Sequence, residues 1–493
     1  MKMLQIWLVM FLISFLQARW TSNSHSNLNI TDHVEAVFGQ KTAVIIPADF
    51  LDMNFSTRKD LIEQLASNMS SYFKEVSYDK MFLEVDIANK TYKLPHNMSF
   101  YANMPEELAR NCISRADPDI DYNFYDYVLA VHAGPSRRPN KPEWIQTCVC
   151  LRKFPTDDGK ILDSCAILSE YDPLFSFCHE TAHLFGLPDL YPESSHTQGN
   201  VGCWDLMGRP TISQRYDSPS QLSAWSRLRL GWMNSTLVKT VNMSVTRDIT
   251  MLHNLETAPW WLQTKAIKVP VANDIYYLVE LRNQILSDRD LPSSGILVYR
   301  CDESSSDGKS HSIMVMDTSL DDFRISEDGK TYSDAAFNDD RPLFCDPVNG
   351  IAIEVWGFSS EVSFVTVYRQ KKLHTLKLAL PQSGIGVTID GRPCVSDENG
   401  WVFAIVLSGN HTVRIDLPVS PFYTVTSFRW SDGDTANPRE IQLLSDETFV
   451  CFYNLETEAE CLTWTITALI IITGLLTLTV LLVRRRYVGH KQL

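Results

Sequence analysis

Hydrophobic and polar positions follow two different rhythms along this chain, and the change between them divides it. Ala43 to Pro47 (AVIIP) is apolar without a break and reads as a buried strand. In RKDLIEQLASNMSSYFKE, Leu61, Ile62, Leu65, Met69 and Tyr72 recur at helical spacing, whereas Met81, Leu83, Val85 and Ile87 alternate as a half-buried strand does. Tyr125 to Val131 reads as another buried strand. A further strand around Lys160 to Leu168 leads into Asp172 and Pro173, a cap and first-turn proline for a helix running to Phe185 and stopped by Gly186. Ser218 and Pro219 open one more helix, with Leu222, Trp225 and Leu228 on one side and Gly231 at its end. Strands and helices in alternation predict a layered α/β or α+β domain. From about Arg247 the rhythm changes to short runs rich in β-branched and aromatic residues, which predicts a β-rich accessory region. Within it, Leu376 to Leu417 reads as a small sandwich, with turn signals at Asp390-Gly391, Glu398-Asn399-Gly400 and Gly409-Asn410.

Two apolar runs stand apart from these patterns. Met3 to Ala18 behind Lys2 has the shape of a signal-peptide core. Trp464 to Val483 is about 20 residues without a charge, enough to span a bilayer. Arg484, Arg485 and Arg486 follow it, so the positive-inside rule predicts a type I, single-pass membrane protein with its catalytic domain extracellular or lumenal. A glycolipid anchor is disfavoured, because the chain continues through a basic tail to Leu493. Sequons at Asn29, Asn54, Asn68, Asn89, Asn97, Asn234, Asn242 and Asn410 all precede the second run, as do all 11 cysteines, which suits an oxidising compartment. An odd number of cysteines leaves at least one unpaired. The net charge of -15 argues against nucleic acid as a partner, since phosphate binding wants a basic face.

The chemistry concentrates in CHETAHLFGLPDLY, Cys178 to Tyr191. His179 and His183 are four apart on the predicted helix, so both imidazoles project from one face and can share a tetrahedral cation. Glu180 sits beside that cation without binding it, placed to take a proton from water that zinc acidifies and to pass it to a departing amine. Gly186 lets the chain turn back so that Asp189 can supply a third ligand, with Glu193 as the alternative. An HExxH string arises by chance in roughly one per cent of chains this long, and adding Gly186 and Asp189 lowers that more than about a hundredfold. Two solvated histidines on a surface helix are therefore the weaker reading.

These residues, with GNVGCWDLMG, FKEVSYDKMFLEV, YDYVLAVHAG, PSQLSAWSRLRLGW, YYLVELRNQ and LPSSGILVYRCDE, resemble the metzincin metallopeptidases and within them the immune inhibitor A peptidases, over roughly Ala43 to Arg369. The resemblance implies that Met207 is the Met-turn methionine beneath zinc. Many metzincins carry a tyrosine two residues after that methionine to steady the oxyanion. Arg209 stands there instead, so Arg209 or Tyr216 is the candidate for that role. Cys178 and Cys203 both depart from the family pattern, which raises a disulfide between them, and a buried thiol at Cys178 is the competing reading. Structural calcium is also implied, though no loop has an EF-hand spacing.

The resulting expectation is an α+β, metzincin-like zinc peptidase. It comprises a signal peptide (1–22), a catalytic domain (23–250), a β-rich region (251–372), a small β-sandwich (373–420), a stalk (421–463), a transmembrane helix (464–483) and a cytoplasmic tail (484–493). Its expected function is zinc-dependent endopeptidase action on extracellular proteins, with membrane contact through the one C-terminal helix. The alternative is a catalytically silent ectodomain that binds or adheres, against which intact His179, Glu180, His183 and Asp189 weigh.

Overall fold

The computed structural model describes residues 36–136, 144–191, 201–208, 218–259, 263–304, 313–316, 335–338, 343–346, 348–369, 373–390, 392–417 and 423–457. They fall into two compact units. The first lies within Met1–Thr240, Leu252–Ala336 and Ser359–Val362, the second within Val241–Met251, Phe337–Phe358 and Ser363–Leu493.

The first unit is built on β1 (Gly39–Asp49), β2 (Met81–Ile87), β3 (Tyr92–Lys93), β4 (Tyr127–His132), β5 (Cys148–Cys150) and β8 (Cys165–Ser169), with β6 (Phe154–Pro155) and β7 (Ile161–Leu162) as a separate pair. The sheet runs β2-β1-β4-β8-β5, and β3 pairs with β1. All strands are parallel except β5, which lies antiparallel along one edge. Ala43 and Ile45 of β1 face one apolar core, Val44 and Ile46 another, which is why this strand reads as an unbroken apolar run. The first core takes in helices α1 (Lys59–Val76) and α4 (Leu174–Leu184). The second takes in α2 (Met98–Tyr101) and α3 (Pro105–Ala116). Helix α1 buries Ile62, Ala66, Met69, Phe73 and Val76 at three- and four-residue intervals. The short helix α5 (Ala224–Arg229) begins at Ser223, whose side chain accepts from the Ser226 backbone N–H.

A second sheet in the same unit runs β14-β13-β12-β11-β9, from β9 (Val238–Thr240), β11 (Ala266–Ala272), β12 (Ile275–Arg282), β13 (Gly295–Asp302) and β14 (Ile313–Val315). Ala266, Leu278, Leu297 and Tyr299 from it enter the core that holds α4. The sequence boundary at residue 250 is therefore not a boundary of the fold. Apolar side chains before and after it close one core.

In the second unit, β10 (Arg247–His253), β15 (Leu343–Asp346), β16 (Ile351–Trp356) and β17 (Val362–Arg369) form one sheet. The sandwich that follows consists of β18 (Leu373–Ala379), β19 (Gly386–Ile389), β20 (Arg392–Val395), β21 (Trp401–Leu407), β22 (Gly409–Ile415), β23 (Tyr423–Trp430), β24 (Arg439–Leu443) and β25 (Glu447–Thr457). Its sheets run β21-β18-β25-β23 and β20-β19-β22-β24 around Leu376, Leu378, Val387, Val413 and Trp430. The expected stalk thus contributes strands β23 to β25, and the sandwich does not end at residue 420.

Two expectations are corrected. The chain is β-rich, with 40% strand against 18% helix, rather than a metzincin-like α+β fold. Helical periodicity ends with α5, and strand patterning governs the longer remainder. Nor is any helix among the described residues long and apolar enough to cross a membrane. The single-pass, type I placement was drawn from Trp464 to Val483, which lies outside the described residues together with the signal-peptide and tail segments. No spanning helix stands in the structure to carry it.

Candidate metal centre

Helix α4 brings the chemistry together. His179 and His183 lie one turn apart, with ring centroids 4.7 Å from each other. Gly186 ends the helix in the left-handed region at φ 97°, where a Cβ is disfavoured. Its N–H donates to the His183 carbonyl at 2.9 Å and that of Leu187 donates to the Ala182 carbonyl at 3.1 Å, which together form a Schellman cap. The reversal carries Asp189 back over the histidines. Its Oδ1 lies 3.1 Å from His179 Nε2 and 3.3 Å from His183 Nε2. These three make up the one group among the described residues with at least three His, Cys, Asp or Glu donors close enough to share an ion. No second side-chain cluster of this kind stands there for calcium.

The other ring nitrogens are held by main chain. His179 Nδ1 lies 2.9 Å from the Leu206 carbonyl, and His183 Nδ1 2.7 Å from the Leu187 carbonyl. A carbonyl only accepts, so each Nδ1 carries the hydrogen and each Nε2 presents a lone pair toward Asp189. Burial works to lower the His183 pKa, but the hydrogen bond from Asp189 and the charge of Glu180 outweigh it and the pKa is raised. For Asp189, burial acts upward and is overcome by the hydrogen bonds from both histidines, which hold the carboxyl well below its usual range.

Glu180 is 7% exposed, and its Oε2 is buried without a hydrogen-bond partner. Burial raises its pKa against the opposing pull of His179 and His183. An orphaned, proton-seeking carboxylate beside an N₂O donor set fits a divalent cation with a water between cation and base.

Met207 is fully buried and shares a core with Phe177, Cys178 and Ala182 of α4. Its carbonyl accepts from the Leu190 N–H at 2.9 Å, which ties the Met207 turn to the Asp189 loop. Cys178 and Cys203 are separate buried thiols, so the structure favours the thiol reading over the disulfide. Burial raises the Cys178 pKa well above its ordinary value and pushes that of Cys203 up to about 12, which leaves both unreactive. Arg209, Tyr216 and Glu193 lie outside the described residues, as does Asn29. The remaining sequon asparagines, Asn54, Asn68, Asn89, Asn97, Asn234, Asn242 and Asn410, are all exposed.

Asp172 does not cap α4. Its carboxylate accepts from the Ser169 N–H at 2.8 Å, from Thr147 Oγ1 at 2.7 Å and from Ser136 Oγ, and so fastens the loop before the helix to the loops after β4 and before β5. Sequence reading also missed the Leu206 and Leu187 carbonyls, which no side-chain pattern marks, and Cys148 on edge strand β5, whose thiol interacts electrostatically with Glu180. Cys148 had a weak signal in the CVC spacing of an apolar strand. No protein-family model matches the chain, and a search of curated proteins finds no significant match.

Proposed function

We propose that this protein is a zinc-dependent endopeptidase in which His179, His183 and Asp189 hold the metal and Glu180 is the catalytic base. One observation carries the reading. Two imidazole nitrogens and a carboxylate oxygen converge within hydrogen-bonding distance, beside a buried glutamate with an unpartnered oxygen. The peptide as substrate class rests on the resemblance of CHETAHLFGLPDLY and GNVGCWDLMG to immune inhibitor A peptidases.

Zinc, when bound, supplies Lewis acidity toward the scissile carbonyl and lowers the pKa of a neighbouring water to about 7. Glu180 takes the proton of the attacking water, and its raised pKa lets it hold that proton long enough to deliver it to the departing amine. The main-chain carbonyls of Leu206 and Leu187 keep both histidine rings in the tautomer that leaves Nε2 free for the ion.

Purified protein should cleave a quenched peptide library, lose that activity to a zinc chelator, and regain it when zinc is restored. His179→Ala and His183→Ala should retain well below one zinc per chain, because two protein ligands hold zinc poorly. Hydrolysis that persists unchanged in the chelated protein would remove the metal from the reaction.

A further inference from the structure

Strand β12 points Tyr276, Leu278, Glu280 and Arg282 to one side. The first two belong to the apolar core shared with α4, so the strand's rhythm asks for apolar residues at 280 and 282 as well. An ion pair stands there instead, with both side chains fully buried. Arg282 Nε lies 2.8 Å from Asp288 Oδ2, Nη1 lies 3.0 Å from Glu280, and Glu256 is 3.4 Å from Nε. Burying one guanidinium among three carboxylates brings a desolvation cost that often cancels the attraction, so stability alone does not account for the arrangement.

The guanidinium makes one further bond, and it leads to the metal centre. Nη1 donates to the Trp204 carbonyl at 2.7 Å, and Tyr299 Oη reaches the same carbonyl at 3.4 Å. The next residue, Asp205, is 1% exposed. It accepts from the Met207 N–H at 2.8 Å, from the Ser223 N–H at 2.7 Å and from Ser226 Oγ at 2.8 Å. Between Asp205 and Met207 lies Leu206, whose carbonyl accepts from His179 Nδ1. The carbonyl that orients the histidine is therefore clamped on both sides within its own turn, and the turn is moored to β12.

We infer that Arg282 is a positioning residue for His179, acting through the Trp204 carbonyl and the Asp205 carboxylate to fix the Leu206 carbonyl that sets the ring's orientation and tautomer. The inference rests on the reading of His179 as a metal ligand under the proposed function. It adds that the second sheet holds part of the metal centre's outer shell, where losses of affinity are typically about 10- to 100-fold.

The test uses the full chain and reads zinc affinity by chelator competition and the visible spectrum of the cobalt(II)-loaded protein, with the thermal midpoint as the measure of folding. Arg282→Lys keeps a cation among the carboxylates but lacks the planar fork that joins Asp288, Glu280 and Trp204 at once. It should bind zinc roughly 10- to 100-fold more weakly and shift the cobalt spectrum. Asp205→Asn, which cannot accept from both the Met207 and the Ser223 N–H, should do the same, and it decides the matter if Arg282→Lys does not fold. Leu108→Ala, in the core on the opposite face of the first sheet, should lower the midpoint and leave affinity and spectrum at parental values. Parental affinity and spectrum in both test variants would overturn the inference. So would an equal loss in Leu108→Ala, since the effect would then track stability. Should the parent bind no zinc, the metal reading fails by itself, and the ¹⁵N shifts of His179 then decide the linkage. An Nδ1–H tautomer in the parent that becomes mixed in Asp205→Asn supports it, and an unchanged tautomer overturns it.

Discussion

Glu256 is 1% exposed, and one of its carboxylate oxygens is buried without a partner. Burial, reinforced by the charge of Asp288 and only partly relieved by Arg282, pushes its pKa up to about 8. A carboxyl raised in the folded state holds its proton more tightly there than in the unfolded chain. Its stabilising contribution is therefore complete below about pH 4.5 and is lost as pH rises through about 8. The thermal midpoint of the parent should accordingly fall from pH 5 to pH 8 relative to Glu256→Gln, which cannot ionise, with a relative slope of up to about 1 kcal/mol per pH unit. Parallel melting curves for the two across that range would remove the assignment. At this scale sequence reading reached His179, Glu180, His183 and Asp189, because helical spacing dictates which side chains share a face. It could not reach the Leu206 and Leu187 carbonyls, since every residue carries one. It also passed over Glu280 and Arg282, whose buried charges break the strand's apolar rhythm.

Between helix α4 and Asp189, one residue decides the geometry of a whole element. Gly186 sits at φ 97°, so Gly186→Ala forces a Cβ into the left-handed region at a cost of about 1 to 2 kcal/mol. Relief of that strain would displace the Leu187 carbonyl, which holds His183, along with the Asp189 loop. The variant should therefore lose zinc affinity as well as stability. A drop in thermal midpoint at unchanged affinity would show that the cap serves the helix alone. Element ends were the weaker part of the sequence reading. Strand β2 falls on Met81–Ile87 as the alternation predicts, but α5 starts from Ser223 instead of Ser218. The intervening residues are held by other partners, for the Gln221 N–H donates to Asp288 and the Ser223 N–H to Asp205. Asp172 has the composition of a cap and is drawn instead into bonds with Ser169, Thr147 and Ser136. Local propensity had no view of those long-range partners.

Over the whole molecule, the change of rhythm near residue 250 marks a change of secondary structure and not the end of a folding unit. Sheet β14-β13-β12-β11-β9 supplies Leu278, Leu297 and Tyr299 to the core beneath α4, and Arg282 to the turn beside it. A chain ending at residue 250 should therefore show no cooperative thermal transition and bind little zinc. A sharp calorimetric transition with one zinc per chain would restore the sequence boundary. The sandwich was legible from its turn signals. Its last three strands were not, because β25 pairs in parallel with β18 across some seventy residues of sequence, a register that periodicity does not carry.

The central claim separates two roles on one helix, metal binding by His179 and His183 and proton transfer by Glu180. Its most direct measurement is zinc content and peptide hydrolysis in the parent and in Glu180→Gln, made side by side. The account predicts about one zinc per folded chain in both, with hydrolysis lower by several orders of magnitude in the variant. Loss of zinc from Glu180→Gln would make Glu180 a ligand, and a zinc-loaded parent that cleaves no peptide would contradict the assignment as a peptidase.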